Sequence, residues 1–409
     1  MRCNTVSEGF RHAFALMLAA LISTPAGWAQ ESREFSRWAQ VDLVHDDNLF
    51  RLSGEDEARQ VLGDDDMDVV ILRYGAGFDL ELPIRRQLLR ASLGMTRNQY
   101  DSHDFLDHTE LQGRGDWHWM LGRLWNGRAF AGYRRDISPF EDFERPVRDT
   151  RTTRELGIEA RRRLTLQQEL ALHWTRRETE HDFAPRQIVD RDIDLFAAEL
   201  LHRGQSSERS WISMRAQMRD VSYPRTETVE DIQIDNSHDE YELTINFNWN
   251  ATARSSLDGR AGYARVRHDE LTERDFSGGV AALRFRYRIG PRLGVDTSLW
   301  RDLNARTNTS ASYVISDGIM LRPYWEIGSA MTLEGSLMRE DRRFEGDAQI
   351  AASADVREDT IDMAELALLW DPPGILSAHA SWRLERLDST RNAQDYRYQT
   401  FSAGVRVTF

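Results

Sequence analysis

The residues with most chemical potential in this chain are its arginines. All 53 basic Lys-or-Arg positions are Arg, set against 67 Asp and Glu. Guanidinium groups bind carboxylates bidentately and stack on flat faces. Arg90, Arg114, Arg215, Arg219, Arg284, Arg286, Arg288, Arg322 and Arg383 alternate with apolar neighbours, as do Asp79, Asp116, Glu169, Asp296, Glu334 and Glu385. Two outcomes suit such a set. Arg215, Arg219, Arg284, Arg286, Arg288, Arg322 and Arg383 with Glu385 would form a track for sugars, acidic ones in particular. The plainer expectation is that wall charges pair across strands and line a water-filled interior.

Two acidic segments invite a metal reading. Glu55, Asp56, Glu57, Asp64, Asp65, Asp66 and Asp68 offer oxygen donors without EF-hand spacing. Asp101, His103, Asp104, Asp107 and His108 offer mixed donors. Both read as solvated loops, and neither a metal nor a cofactor is expected. Catalytic signatures are missing: there is no GxSxG, HExxH or P-loop, and the eleven His scatter without a motif. Cys3 is the sole cysteine, which excludes disulfide scaffolds and Cys-based zinc or nucleophile sites. A net charge of −14 argues against a nucleic-acid partner, which would need a basic face.

The elements that would position these groups start after a leader. Arg2 and Arg11 precede the apolar run of residues 13–22, and small residues Gly27 and Ala29 follow. That is a secretory signal peptide over residues 1–29, with cleavage expected before Gln30. Cys3 lies ahead of the apolar run, so it is not a lipoprotein cysteine. Beyond residue 30 no apolar stretch approaches the ~18 residues of a spanning helix.

Period-two alternation then dominates. Tyr241, Leu243, Ile245, Phe247 and Trp249 share one face against Glu242, Thr244, Asn246 and Asn248. Ala281, Leu283, Phe285, Tyr287 and Ile289 oppose Arg284, Arg286 and Arg288. Such segments are strands with one apolar and one polar face. About ten tilted residues suffice to cross a hydrocarbon layer. Eighteen segments qualify, centred near Val41, Ala76, Leu93, Gly113, Ala131, Ile158, Leu172, Ala198, Met214, Ile245, Ala261, Leu283, Val295, Leu321, Leu333, Leu366, Ala380 and Ala403. Those near Ala131, Ala198 and Leu366 alternate poorly, so sixteen is the lower bound.

Connections after even-numbered segments are short, such as Gly328, Ser329 and Ala330; those after odd-numbered ones are mostly long and charged, as at 51–66, 139–150, 223–237 and 345–356. Bacterial outer-membrane barrels sort their turns in this way, the short set facing the periplasm. The last segment places Phe401, Ala403, Val405, Val407 and the terminal Phe409 on one face, resembling the assembly signal of Gram-negative barrels. Tyr74, Trp119, Tyr133, Trp174, Tyr241, Trp249, Tyr287, Trp325, Trp370 and Trp382 fall mostly near segment ends, where interfacial aromatic girdles sit. The expected fold is therefore all-β: one transmembrane antiparallel barrel of sixteen to eighteen strands over residues 30–409.

At the end of the first segment stands Asp46-Asp47-Asn48-Leu49-Phe50-Arg51. A strand running into this turn resembles the exosortase-associated, EpsL-like family of exopolysaccharide outer-membrane barrels and the related second group of β-barrel porins, although His45 stands where Tyr is common. Locally, Asp and Asn would stabilise the turn and Phe50 would anchor in the membrane interface. The resemblance implies a part in exopolysaccharide biosynthesis or export, with no catalytic residues. The barrel reading brings outer-membrane lipid, lipopolysaccharide and the barrel-assembly machinery as expected partners, and the export reading adds the secreted polysaccharide and periplasmic export components. The reading reached from sequence is a passive polymer-conducting pore. A general diffusion porin, a non-conducting anchoring barrel and a barrel lipase or protease are the alternatives.

Overall fold

The computed structural model describes residues 35–142, 145–204, 210–229, 232–270, 272–305, 313–345, 357–390 and 394–409. The expected leader at 1–29 lies outside them. The first wall of the structure comprises β1 (Phe35–Asp46), β2 (Val69–Ile84), β3 (Gln87–Tyr100), β4 (His108–Leu121), β5 (Trp125–Ile137) and β6 (Thr150–Arg163). Next come β7 (Gln168–His181), β8 (Arg191–Arg203), β9 (Trp211–Ser222), the external hairpin β10 (Glu227–Val229) and β11 (Ile232–Ile234), β12 (His238–Trp249) and β13 (Ser255–His268). The rest are β14 (Phe276–Arg288), β15 (Leu293–Ala305), β16 (Tyr313–Ile327), β17 (Met331–Glu345), β18 (Glu358–Trp370), β19 (Leu376–Ser389) and β20 (Tyr396–Thr408).

Apart from the β10–β11 hairpin, these strands form a single antiparallel sheet of eighteen. Closure is made by β1, where Val41 faces Tyr74 of β2 on one side and Val405 of β20 on the other. A membrane demands this, because an open edge would leave backbone N–H and C=O groups unpaired in hydrocarbon. All eighteen segment centres read from the sequence fall inside barrel strands.

The alternation sets the two faces. On β12, Leu243 and Ile245 are 52% and 53% exposed, while Thr244 between them is buried toward the lumen. Leu93, Met95, Ile158, Leu172, Leu299, Ile319, Leu337 and Leu366 are likewise exposed on the outer wall. Such a belt of bare apolar side chains is stable only against acyl chains. Trp249, Tyr287, Trp325 and Trp370 ring the end with the short turns, as a girdle should. In the turn between β16 and β17, Gly328 adopts φ +74°, a left-handed conformation that costs glycine nothing.

The three poorly alternating strands have a common cause. Each carries apolar side chains on its lumen face as well as its lipid face: Phe130 on β5, Ile193 and Leu195 on β8, Ile361 and Met363 on β18. Phe130 takes two guanidinium groups, Arg114 and Arg128, each 4.9 Å from its ring centre. Inward aromatics also lie flat on the wall, and a Cβ at Gly318 would collide with the Trp300 ring.

Candidate functional site

The lumen is shaped by loops that fold inward at the long-loop end, and the Asp46–Arg51 segment anchors them. Asp46, the last residue of β1, points inward and accepts a hydrogen bond from the Asn48 backbone N–H at 3.0 Å. The Asn48 side chain donates to the carbonyls of Leu52 at 2.8 Å and Arg397 at 3.0 Å, and accepts from the Leu52 N–H at 2.9 Å. Asp47 accepts the Gln399 N–H at 2.6 Å. Arg51, at φ +59°, turns its guanidinium back onto Asp46, with contacts of 2.9 and 3.1 Å. It lies 3.4 Å over the Tyr398 ring. The motif thus ties the first strand to the last.

Phe50 corrects the expectation of an interfacial anchor. It is 1% exposed and packs edge-on against His103 and Phe140, with ring centres 5.0 and 4.8 Å away. Leu49, Phe50, Leu52 and Ala58 come from the first loop, where α1 (Glu55–Val61) lies. They bury themselves against Val44, Val69, Ile71, Tyr100 and Leu106. Inward positions at the ends of β1–β3 are apolar because they receive this cluster, a long-range demand that no local pattern announces.

The loop after β5 completes the constriction. Phe140 packs on the same cluster, and Glu141 reaches 3.5 Å from the Arg51 Nε. Ser138 donates to Asp149 at 2.7 Å across the base of this loop. Glu141 still meets lumen water over 44% of its side chain. Burial by the wall nevertheless holds its carboxyl above the ordinary value, with Arg51 pulling it part of the way back.

Two spaces meet at this loop tip. One, of about 940 Å³, lies between the β7–β9 wall and the β17–β20 wall; the other, of about 390 Å³, lies behind the loop. Glu141 and Arg383 border both, so together they form the partition. The larger space is lined by seven arginines and five carboxylates.

The predicted track divides. All of its members point inward, yet only Arg215, Arg219, Arg383 and Glu385 share the larger cavity. Arg219 pairs with Glu240 at 2.6 Å, and Arg383 with Glu385 at 2.5 Å. Arg284 pairs with Asp296 and Arg286 with Asp258 across neighbouring strands. Arg286 and Arg288 border a separate space of about 210 Å³ beside the β12–β13 turn, at the other end of the barrel. Arg322 sits on β16, in register with Asp296. Arg219, Arg284, Arg286 and Arg383 thus stand paired on the wall, and four members of the set share one cavity.

Sequence reasoning missed Arg177, Arg191, Arg342, Arg357 and Glu141, all of which border the larger cavity. Strand parity would have found Arg177, Arg191 and Arg342. Glu141 had no signal, being placed by the path of a loop.

The donor-rich loops are used for structure. Asp101 accepts the Val70 N–H at 3.0 Å, Asp107 accepts the Tyr100 N–H at 2.9 Å, and His108 lies 2.8 Å from the Leu106 carbonyl. In the first loop, Arg59 pairs with Glu55, Asp56 and Asp65 at 3.1, 2.9 and 3.2 Å. On the last strand, Phe401 and Val405 face lipid, while Val407 is buried. Phe409 exchanges two backbone hydrogen bonds with Arg37, at 2.7 and 2.8 Å, and so seals the closing seam.

A closed eighteen-strand barrel with an apolar belt, an aromatic girdle and a charged lumen is an outer-membrane β-barrel of porin architecture. Solved structures agree on the fold. OccAB4 of Acinetobacter baumannii has a TM-score of 0.51 at 8% identity, over 93% of this chain and 99% of that one. OccK2 (OpdF) of Pseudomonas aeruginosa has 0.51 at 9%, over 92% and 97%. OpdK of the same organism, solved with vanillate, has 0.51 at 11%, over 92% and 99%. No family model and no curated protein matches the chain.

Proposed function

We propose that the chain is a passive, non-catalytic diffusion channel of the outer membrane for small polar solutes. The observation that carries this reading is the arginine- and carboxylate-lined space of about 940 Å³, with Glu141 and Arg383 standing between it and the space behind the loop. Water-filled lumens of mixed charge suit hydrated cargo, and a barrel of about this strand number is too wide for side chains alone to fill. The inward loop narrows the passage, which favours small solutes over a polymer strand. Liposome swelling with small neutral and charged sugars tests it: uptake faster than in protein-free vesicles is expected. Vesicles that swell no faster despite inserted barrels would count against a channel.

Export of a secreted polysaccharide remains a second reading, supported by the Asp46–Arg51 segment and its resemblance to exopolysaccharide barrels. There the driving force would come from synthesis and periplasmic components. A deletion strain that secretes normal amounts of polymer would remove it.

A further inference from the structure

Within the larger cavity, Arg215 differs from its neighbours. It faces Glu199 on β8 and Thr244 on β12 in register. Glu199, however, is turned away: it accepts the Ser213 hydroxyl at 2.5 Å and lies 3.9 Å from the His173 Nε2. Among the described residues Arg215 has no carboxylate within 4 Å, and its buried Nε has no hydrogen-bond partner. Arg191 likewise has no carboxylate within 4 Å among the described residues, whereas the other five arginines of this cavity each hold one.

The walls beside it are not those of a simple aqueous pore. Ile193 and Leu195 of β8 enter the cavity half-buried, opposite Met338 and the packed apolar group of Ile361, Leu387 and Tyr396. These residues are why β8 and β18 alternate poorly in sequence. A strand that spends its lumen face on apolar side chains gives up hydration there, which needs a compensating contact.

We propose that this cavity holds small carboxylates carried on an apolar body, such as aromatic acids. The carboxylate would be anchored by Arg215, and the body would lie between the Ile193–Leu195 and Met338 surfaces. A free guanidinium supplies the charge-assisted hydrogen bonds, and facing apolar walls supply the burial that a sugar cannot use. The proposal rests on the channel reading only for how the solute enters and leaves.

Equilibrium dialysis of radiolabelled benzoate against the full chain in nanodiscs reads binding without requiring conduction. Saturable binding is expected, displaced by unlabelled benzoate far better than by glucuronate, which lacks the apolar body, or by benzyl alcohol, which lacks the charge. Arg215→Gln should weaken it at least about tenfold, equivalent to about 1.4 kcal/mol. Leu195→Ser should weaken benzoate while leaving any glucuronate binding unchanged. Arg215→Lys, which keeps the charge but not the fork, serves if the glutamine variant does not fold, and should also bind more weakly. Absence of saturable binding in the wild type, or unchanged affinity in the folded Arg215 variants, overturns the proposal. Bilayer currents on the same preparation separate the two readings: conduction without benzoate binding removes this inference alone, and binding without conduction removes the channel.

Discussion

Replacing Arg51 with alanine should release the inward loops. The Arg51 and Asp46 side chains are only 10% and 7% exposed. Truncating Arg51 therefore strands a buried carboxylate, removes the Tyr398 stack and leaves Glu141 without its cation. Breaking a buried pair from one side costs about 3–5 kcal/mol. Asp46 would keep its bonds from the Asn48 N–H at 3.0 Å and the Thr400 hydroxyl at 3.3 Å, which argues for the lower end. About 3 kcal/mol shifts the ratio of docked to released loop by roughly a hundredfold. Single-channel recording should show larger conductance or more frequent large-conductance openings than in the wild type. Asp46→Ala combined with Arg51→Ala removes the stranded charge, so the double variant should be less perturbed than the sum of the singles. An Arg51→Ala channel with wild-type amplitude and noise, or strictly additive effects, would refute the latch.

Other outcomes follow from the same geometry. Because the docked loop holds the Glu141 carboxyl above its ordinary value, that state binds the proton more tightly than the released one. Docking is therefore favoured as pH falls and weakened as pH rises through the raised value; conductance should drop on acidification, and Glu141→Gln should flatten the response. Ile245→Arg, on the lipid-facing belt, should destabilise the barrel by about 2–4 kcal/mol in vesicle unfolding experiments, with the lumen-facing Asn246→Arg nearly neutral. Deleting Phe409 takes both hydrogen bonds from the Arg37 seam and should lower the amount of barrel inserted in the outer membrane; a wild-type level would remove its assembly role.

How much of this was legible depended on the range of the physics. Alternation is local, so Leu243, Ile245 and Phe247 declared both the strand and its lipid face, and even the weak segments at Ala131, Ala198 and Leu366 were placed correctly. Their weakness was itself a signal, since Ile193 and Ile361 are apolar on the lumen side. The destination of Phe50 was not legible: an aromatic at a strand end reads as an interfacial anchor, and only the tertiary path of the first loop turns it inward. The arginine set was read by face but not by height. Arg288 and Arg215 share a parity with the lumen yet border spaces at different ends of the barrel, and depth comes from strand register across the whole sheet.

The most direct test is planar-bilayer recording with the purified protein. A channel gives stepwise insertions with steady, salt-dependent current through each barrel, altered by Arg51→Ala. Barrels that insert fully folded and carry no current, with or without that substitution, would contradict an open lumen and leave only an anchoring role.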